Sequence, residues 1–259
     1  MSAFRARLVL LGASNVTKGI STIIETARLM LGSPMDVKCA IGHGRSYGHE
    51  SFVLVRSLPS ILDAGLWSIL ETATSDCPTY ALIADVGNDV MYGIPPQQIA
   101  DWVEQCIARL NAADARIVMT SLPLQRIRKL TPAQYLAART LLFPGNRLTF
   151  KQVLQRSEQT VQQLADLAVS YDVPLVELPG QWYGIDPIHI RASRQSEAWA
   201  HVLAHWLDEP GPPVRARVSL RRWVQLRMLS PERWWLLGFN RGREQPAATL
   251  ADGTLVSLY

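Results

Sequence analysis

Two kinds of hydrophobic pattern alternate along the chain. Short continuous runs of apolar residues predict strands that are buried on both faces, as the strands of parallel sheets are. The predicted strands are Arg7–Leu11, Val37–Ile41, Tyr80–Asp85, Arg116–Thr120 and Pro174–Glu177. Longer segments with apolar residues at helical spacing predict helices over Ile20–Leu31, Pro96–Asn111, Thr149–Tyr171 and Ser193–Leu207, with one more from Thr131 through Leu142.

This alternation predicts an α/β fold, a three-layer α/β/α sandwich around a parallel sheet of about five strands. The carboxyl ends of parallel strands lie along one edge of the sheet, and the loops at that edge carry the chemistry in such folds. Polar residues that directly follow a predicted strand are therefore the first candidates for a functional site.

The pattern changes at Glu209-Pro-Gly-Pro-Pro213, a segment that interrupts regular structure. We therefore divide the chain of 259 residues into a main domain over 1–209 and an extension over 210–259. Within the extension, Asp252-Gly253 lies between two alternating apolar runs, so Ala247–Tyr259 predicts a β-hairpin.

The charge of the chain is concentrated in the extension. Residues 211–259 hold eight arginines and three acidic residues, a net charge of +5, whereas the whole chain carries +4, so the main domain is close to neutral. Tryptophans are interleaved with these arginines, as in Arg233-Trp234-Trp235. One interpretation is weak contact of the extension with an anionic membrane surface. The other, which we favour, has the tryptophans packed on the domain and the arginines solvated. The basic stretch is short and lacks a recognition motif, so no nucleic-acid partner is expected.

Cysteine usage and the N-terminal segment bear on the cellular compartment. Cys39, Cys77 and Cys106 are odd in number and widely spaced, which argues against a disulfide framework or a zinc site. The first apolar run is too short for the core of a signal peptide, and no run approaches the length of a membrane span. The expected location is cytoplasmic.

The first candidate for chemistry is Ser14, which follows the first predicted strand through a turn of small residues, Gly12-Ala13. That position exposes the hydroxyl at the carboxyl edge of the sheet, and the N-terminus of the next helix favours an oxyanion there. Taken alone, the same serine is more typical of a helix N-cap than of a nucleophile.

The second candidate is Asp186-Pro-Ile-His189, between the last predicted strand and the last predicted helix. An aspartate three residues before a histidine can accept from its Nδ1–H, which leaves Nε2 free as a general base. Asn88 follows the central strand, and its side-chain amide suits an oxyanion hole. Asp85 and Asp89 around it are interpreted as groups that fix the loop.

Together, these segments resemble the SGNH (GDSL-like) hydrolase family, in which a serine, a glycine, an asparagine and a DxxH histidine occur in this order. The resemblance covers roughly residues 7–208. It implies a flavodoxin-like fold and a catalytic triad of Ser14, Asp186 and His189. For the oxyanion hole it implies Ser14, Asn88 and a glycine that is Gly44 or, as the alternative, Gly48.

The sequence departs from the family pattern around these residues. Ala13 stands where the family usually has Asp before the serine, and Asn15 stands where it usually has Leu. Val86 replaces a glycine of the third block. These departures leave the subfamily and the substrate open.

The resemblance implies a serine esterase or lipase-type hydrolase that cleaves a small-molecule, glycan or lipid ester through an acyl-enzyme, without a metal or organic cofactor. One alternative is a catalytically idle protein of the same fold that binds a ligand or a membrane surface. Another is an α/β-hydrolase-like esterase with Ser46 as nucleophile, because Gly44-Arg-Ser46-Tyr-Gly48 matches GxSxG. His201 and His205 are spaced like a metal pair, but no third ligand is evident, so a solvated helix face is favoured.

Overall fold

The computed structural model describes residues 3–53, 55–72, 77–184, 186–209, 211 and 214–259. Pro210, Pro212 and Pro213 of the predicted interruption lie outside the described residues. The strands are β1 (Ala6–Gly12), β2 (Met35–Ile41), β3 (Ser51–Val53), β4 (Arg56–Leu58), β5 (Thr79–Ile83), β6 (Ala115–Thr120), β7 (Leu175–Val176), β8 (Arg233–Leu236), β9 (Phe239–Gly242), β10 (Ala248–Thr249) and β11 (Leu255–Leu258).

The central sheet has the order β10-β11-β2-β1-β5-β6-β7. The five strands from β2 to β7 are parallel, and their order is the 2-1-3-4-5 order of flavodoxin-like folds. The predicted α/β fold with a parallel sheet is therefore confirmed. The sheet has two strands more than the predicted five, because β11 pairs parallel with β2 and β10 pairs antiparallel with β11.

Helices cover both faces of this sheet. They are α1 (Ser14–Leu31), α2 (Leu66–Thr72), α3 (Gly87–Met91), α4 (Pro96–Ala112), α5 (Leu124–Arg128), α6 (Pro132–Leu142), α7 (Phe150–Ser170), α8 (Gln195–Leu203) and α9 (Leu220–Arg227). The starts of several follow from sequence: Pro96 occupies the first turn of α4, and Thr131 and Thr149 form capping boxes at α6 and α7. Helix α1 begins six residues before the predicted start, for a reason that lies in the candidate site.

Strand β1 is buried on both faces, and its side chains divide the core in two. Leu8 and Leu10 pack with α1, α8 and α9, whereas Val9 and Leu11 pack with α2, α4 and α7. This alternation explains the continuous apolar run of β1, since a strand with helices on both sides has no polar face. The carboxyl end of β1 is thereby fixed at the centre of the sheet, directly before Ser14.

A second, antiparallel sheet has the order β3-β4-β8-β9 and joins the loop after β2 to the C-terminal part of the chain. The tryptophans of the extension differ in exposure: Trp234 and Trp235 are half-buried, and Trp223 is 40% exposed. Leu226 of α9 is buried against the core. Among the described residues, no helix combines the length and the hydropathy that a membrane crossing requires.

Candidate active site

Ser14 is the first residue of α1, directly after the turn that ends β1. The residue at the N-cap position, Ala13, has no side chain that could cap the helix. Asp85, at the end of β5, supplies the missing acceptor: its Oδ2 accepts from the N–H groups of Ala13, Asn15 and Val16 at 2.9, 2.9 and 3.1 Å. A carboxylate at a helix N-terminus also compensates the helix dipole. This cap explains why α1 begins at Ser14 rather than at Ile20.

Asp85 adopts a left-handed backbone conformation, with φ of 62°. Non-glycine residues rarely adopt this conformation, although aspartate tolerates it better than most. The surrounding hydrogen bonds hold it there, which is typical of functional sites. The strained turn directs the carboxylate of Asp85 back across the sheet edge to the turn that carries Ser14.

Asn15 connects this turn to the loop that carries His189. Its side-chain nitrogen donates to Asp85 Oδ1 at 2.7 Å and to the backbone oxygen of Ile188 at 2.8 Å. Its side-chain oxygen accepts from the N–H of Ile190 at 2.9 Å. All the hydrogen-bonding groups of the Asn15 side chain except one lone pair are therefore in use, and they fix two distant segments relative to each other.

His189 lies between Ser14 and Asp186. The distance from His189 Nε2 to Ser14 Oγ is 2.8 Å, and His189 Nδ1 is hydrogen-bonded to a carboxylate oxygen of Asp186. Partial burial raises the pKa of Asp186, but hydrogen bonds from the His189 ring and from the N–H groups of Ile188 and His189 outweigh it and bring the pKa below its usual value. An ionised Asp186 keeps the proton of His189 on Nδ1, which makes Nε2 an acceptor for the Ser14 hydroxyl.

Two hydrogen-bond donors near Ser14 have no partner among the described residues. Asp85 binds the N–H groups on either side of the Ser14 N–H, and no described acceptor is bonded to that of Ser14 itself. Asn88, in α3 after β5, is 7% exposed, and its side-chain nitrogen has no partner in the described part of the chain. An unpaired buried donor is costly, so its retention beside Ser14 points to an acceptor supplied by a ligand.

Of the two candidate glycines, Gly44 has the free N–H. Its φ of 67° favours glycine, and a side chain there would meet Val53 Cγ2 at 2.5 Å. Within the described chain no acceptor is bonded to the Gly44 N–H, whereas its carbonyl accepts from the Tyr92 hydroxyl at 2.5 Å. The N–H of Gly48 donates to Ser46 Oγ at 3.3 Å, and Trp102 fills the space beside it.

Ser46, the serine of the GxSxG motif, is fully buried and has other partners. Its hydroxyl donates to Asp89, and the N–H groups of Gly48 and His49 donate to its oxygen. Burial raises the pKa of Asp89 to about 6, against the lowering effect of hydrogen bonds from Ser46 and Tyr47. The structure places Ser46 and Asp89 in a buried network that holds the glycine loop, and His189 contacts Ser14 instead.

An apolar cavity of about 90 Å³ lies beside Ser14 and Asn88. Its wall comes from α3, α5, α6 and α7 and the segments that join them, so the segment over 121–148 forms part of it. The apolar wall residues include Val90, Met91, Leu122, Ile127, Leu130, Tyr135, Phe143 and Val153. Single apolar residues on separate helices carry no recognisable spacing in a sequence, so the sequence does not predict this wall.

His43 and Lys18 lie close enough to the candidate site for the charges of its residues to influence them. Desolvation and the charges of Lys18 and Arg227 lower the pKa of His43, and His189 and Arg56 add to the effect. Desolvation also lowers the pKa of Lys18, partly offset by Asp186. Elsewhere, His201 and His205 stack edge to face at 5.6 Å. No group of three or more potential metal ligands is present in the described ranges.

Comparison with known proteins gives similarity in structure only. No protein-family model matches the chain, and no curated protein matches its sequence. A solved carbohydrate acetylesterase family member from Sinorhizobium meliloti aligns with a TM-score of 0.52 and 16% identity over 76% of this chain and 95% of that chain. A psychrotrophic esterase from Pseudoalteromonas sp. aligns with a TM-score of 0.49 and 13% identity, over 79% of this chain and 100% of that one.

A member of the lipolytic G-D-S-L family from Veillonella parvula aligns with a TM-score of 0.48 and 12% identity, over 76% of this chain and 96% of that chain. At identities this low, the similarity concerns the fold alone, and the chemistry is argued from the residues of the site. The fold of this chain is the one expected from its resemblance to the SGNH (GDSL-like) hydrolases.

Proposed function

We propose that this protein is a serine hydrolase that cleaves a carboxylic ester through an acyl-enzyme. The observation that carries the proposal is the hydrogen-bonded series from Ser14 Oγ to His189 Nε2, at 2.8 Å, and from His189 Nδ1 to Asp186. A nucleophile, a base within hydrogen-bonding distance and a carboxylate that orients the base are the geometric requirements of this chemistry.

In the proposed first step, His189 Nε2 takes the proton of Ser14 while Oγ attacks the ester carbonyl carbon, which gives a tetrahedral oxyanion. The imidazolium of His189 then returns the proton to the leaving alcohol, and the acyl group stays on Ser14. Water repeats the sequence: His189 takes a proton from water, the hydroxide attacks the acyl carbon, and the proton returns to Ser14. Asp186 remains ionised throughout and stabilises the imidazolium.

The oxyanion is assigned to three donors: the N–H of Ser14, the N–H of Gly44 and the side-chain nitrogen of Asn88. The support is that none of the three has a partner within the described chain, although Asn88 is buried. Donors that wait unpaired for developing charge stabilise the transition state more than the ground state. The helix dipole of α1 acts on the oxyanion in the same sense.

The cavity beside Ser14 supports an apolar acyl group as the part of the ester that is retained on the enzyme. An engineered cavity of about 150 Å³ binds benzene, a molecule of six carbons. On that scale the volume of about 90 Å³ fits an acyl chain of about four carbons. This assignment places the alcohol of the ester toward the mouth of the site.

Hydrolysis of p-nitrophenyl esters by the wild type and by Ser14→Ala tests the proposal. We expect kcat to fall by at least about 10³-fold in Ser14→Ala, because loss of the nucleophile removes the acyl-enzyme route. The variant loses one hydrogen bond to His189 and leaves the cap of Asp85 on α1 intact, so it is expected to melt near the wild-type temperature.

Ser46→Ala is the matched serine control. Its activity per folded molecule is expected to stay near that of the wild type, although loss of the hydrogen bond to Asp89 lowers its stability. A fluorophosphonate probe adds a direct readout, since it is expected to modify the wild type but not Ser14→Ala. Activity that survives Ser14→Ala and disappears in Ser46→Ala contradicts the assignment, and a wild type without labelling or hydrolysis favours an idle ligand-binding fold.

A further inference from the structure

Exposed apolar side chains are concentrated in two places. Thirteen large apolar residues are exposed among the described residues, and nine of them lie on α9, directly after it at Met228, or in the hairpins β3–β4 and β8–β9. The most exposed of the nine are Leu220 of α9 and Met228 after it, both at 75%, followed by Leu237, Phe52 and Phe239 of the hairpins, at 68, 67 and 66%. Such a concentration differs from the single exposed apolar residues that are normal on protein surfaces.

The two hairpins end side by side. Strand β4 pairs with β8 so that Arg56 lies opposite Leu236, and the N–H of Leu237 donates to the backbone oxygen of Val55 at 2.8 Å. Val55 and Leu237 therefore lie side by side at one end of the second sheet, where Phe239 begins β9. We call this end of the sheet, together with α9 and Met228, the apolar rim.

The apolar rim borders the candidate active site from two directions. Val53 of β3 packs closely against Gly44, which lies in the loop of the proposed oxyanion hole. On the other side α9 packs along α1, where Arg222 is 2.6 Å from Glu25. Arg227, at the end of α9, lies near enough to Lys18 for its charge to lower the pKa of that lysine. Helix α9 thus runs from the middle of α1 toward Ser14.

Arginines are interleaved with the apolar side chains of the rim. Arg56, Arg221, Arg227 and Arg241 are exposed, and no carboxylate in the described part of the chain forms an ion pair with any of them. Arg227 instead stacks over Trp223, at 4.6 Å from the ring centre. Helix α9 contains three arginines and no acidic residue. The rim therefore combines unburied apolar area with unpaired positive charge.

We propose that the apolar rim docks on the surface of a membrane that contains anionic lipids. Apolar side chains beside arginines match the boundary between the acyl chains and the headgroups of a bilayer. The apolar side chains enter the acyl layer there, and the arginines contact the lipid phosphates. We propose an anionic bilayer as the partner because these arginines are unpaired and positively charged. Docking places the mouth of the site against the membrane. The further role of the rim, to admit a lipid ester to Ser14, rests on the proposed function.

Sedimentation of the purified full chain with lipid vesicles tests the docking. We expect binding to mixed phosphatidylcholine–phosphatidylglycerol vesicles, much weaker binding to pure phosphatidylcholine, and a loss of affinity as salt is raised, because salt screens the arginines. Leu237→Ser with Phe239→Ser is expected to lower the partition coefficient on mixed vesicles by about tenfold or more. Arg221→Gln with Arg241→Gln is expected to lower it by a similar factor at low salt.

Leu141→Ser with Val169→Ser is the matched control, because both side chains are more than 80% exposed but lie outside the rim, on α6 and α7. It is expected to bind like the wild type. Hydrolysis of a soluble short-chain ester is expected to be unchanged in Leu237→Ser with Phe239→Ser, so a failure of catalysis is distinguished from a failure of docking. A wild type that does not bind mixed vesicles at low salt, or a rim variant that binds as well as the wild type, overturns the proposal.

Discussion

The side-chain nitrogen of Asn15 lies 2.7 Å from a carboxylate oxygen of Asp85, and through this bond the residue after Ser14 is tied to the end of β5. The same side chain binds the backbone on both sides of His189, at Ile188 and Ile190. Asn15 therefore sets the separation of the proposed nucleophile and the proposed base. It stands where the SGNH pattern usually has leucine, so this chain uses a polar bridge at that position.

Asn15→Ala is expected to lower kcat on a p-nitrophenyl ester by about 10²-fold with little change in KM, because a small misplacement of His189 slows proton transfer more than it weakens substrate binding. Loss of three hydrogen bonds leaves buried partners unpaired, so the free energy of unfolding should also fall, by about 2–4 kcal/mol. Kinetics below the melting transition separate the two effects.

Asn15→Asp is the informative companion of this variant. It keeps the size of the side chain and the acceptor for Ile190, but it places a second carboxylate against Asp85 and removes the donor to Ile188. We expect it to be at least as impaired in kcat as Asn15→Ala. If Asn15→Ala and Asn15→Asp both keep the wild-type kcat and only KM rises, the positioning role of Asn15 is contradicted.

Asn88→Ala tests the third donor of the proposed oxyanion hole. We expect kcat to fall by about 10²–10³-fold, the usual effect of the loss of one such donor. Because the side-chain nitrogen has no partner in the described chain, the free energy of unfolding should change by less than about 1 kcal/mol. A large loss of activity without a loss of stability distinguishes a catalytic donor from a structural one.

Asn88→Asp is a stricter test of the same donor, because it places a negative charge where the oxyanion would form. It is expected to be less active than Asn88→Ala at neutral pH. Kinetics of both variants and thermal melting are the measurements. Unchanged kcat in Asn88→Ala excludes Asn88 from the oxyanion hole.

The cavity predicts a preference for acyl chain length. Each buried methylene contributes about 0.8 kcal/mol, so the wild type should prefer p-nitrophenyl butanoate to the acetate by on the order of tenfold in kcat/KM. Ala138 is half-buried in the cavity wall, and Ala138→Phe would fill part of the volume. This variant is expected to lose about tenfold on the butanoate and less than about twofold on the acetate. Equal losses on both esters would show that the cavity does not hold the acyl chain.

Asp89 predicts a pH dependence of stability. Burial raises the pKa of its carboxyl from the ordinary value of 3.8 to about 6, so the folded protein holds this proton more tightly than the unfolded chain. Below about pH 4 the protonated carboxyl contributes on the order of 3 kcal/mol to the free energy of unfolding. This contribution is lost as the pH rises to about 6. Urea unfolding gives the free energy of unfolding of the wild type and of Asp89→Asn from pH 4 to pH 7. The value for the wild type minus that for the variant is expected to decrease as the pH rises. A difference that is independent of pH contradicts the assignment.

Patterns that are local in sequence predicted the layered fold and the residues of the candidate site. The run of β1, the turn before Ser14 and the spacing of Asp186 and His189 are each readable within a few residues. The bridge from Asn15 to Asp85 joins residues 70 positions apart, and no local pattern encodes it. The pairing of β11 with β2 and the second sheet were missed for the same reason. The cytoplasmic location and the division at residue 209 stay predictions.

The hydrogen bond between Ser14 and His189 joins residues 175 positions apart, and the contacts of Asn15 with the same loop span 175 and 173 positions. Contacts of such long sequence separation form late, because the loop between them must be closed first. Recovery of catalytic activity after dilution from denaturant should therefore lag behind recovery of helical circular dichroism. A chain in which only the β1–β5 region has folded would hold Ser14 without His189, so hydrolysis would report on folding of the chain as far as the loop after β7.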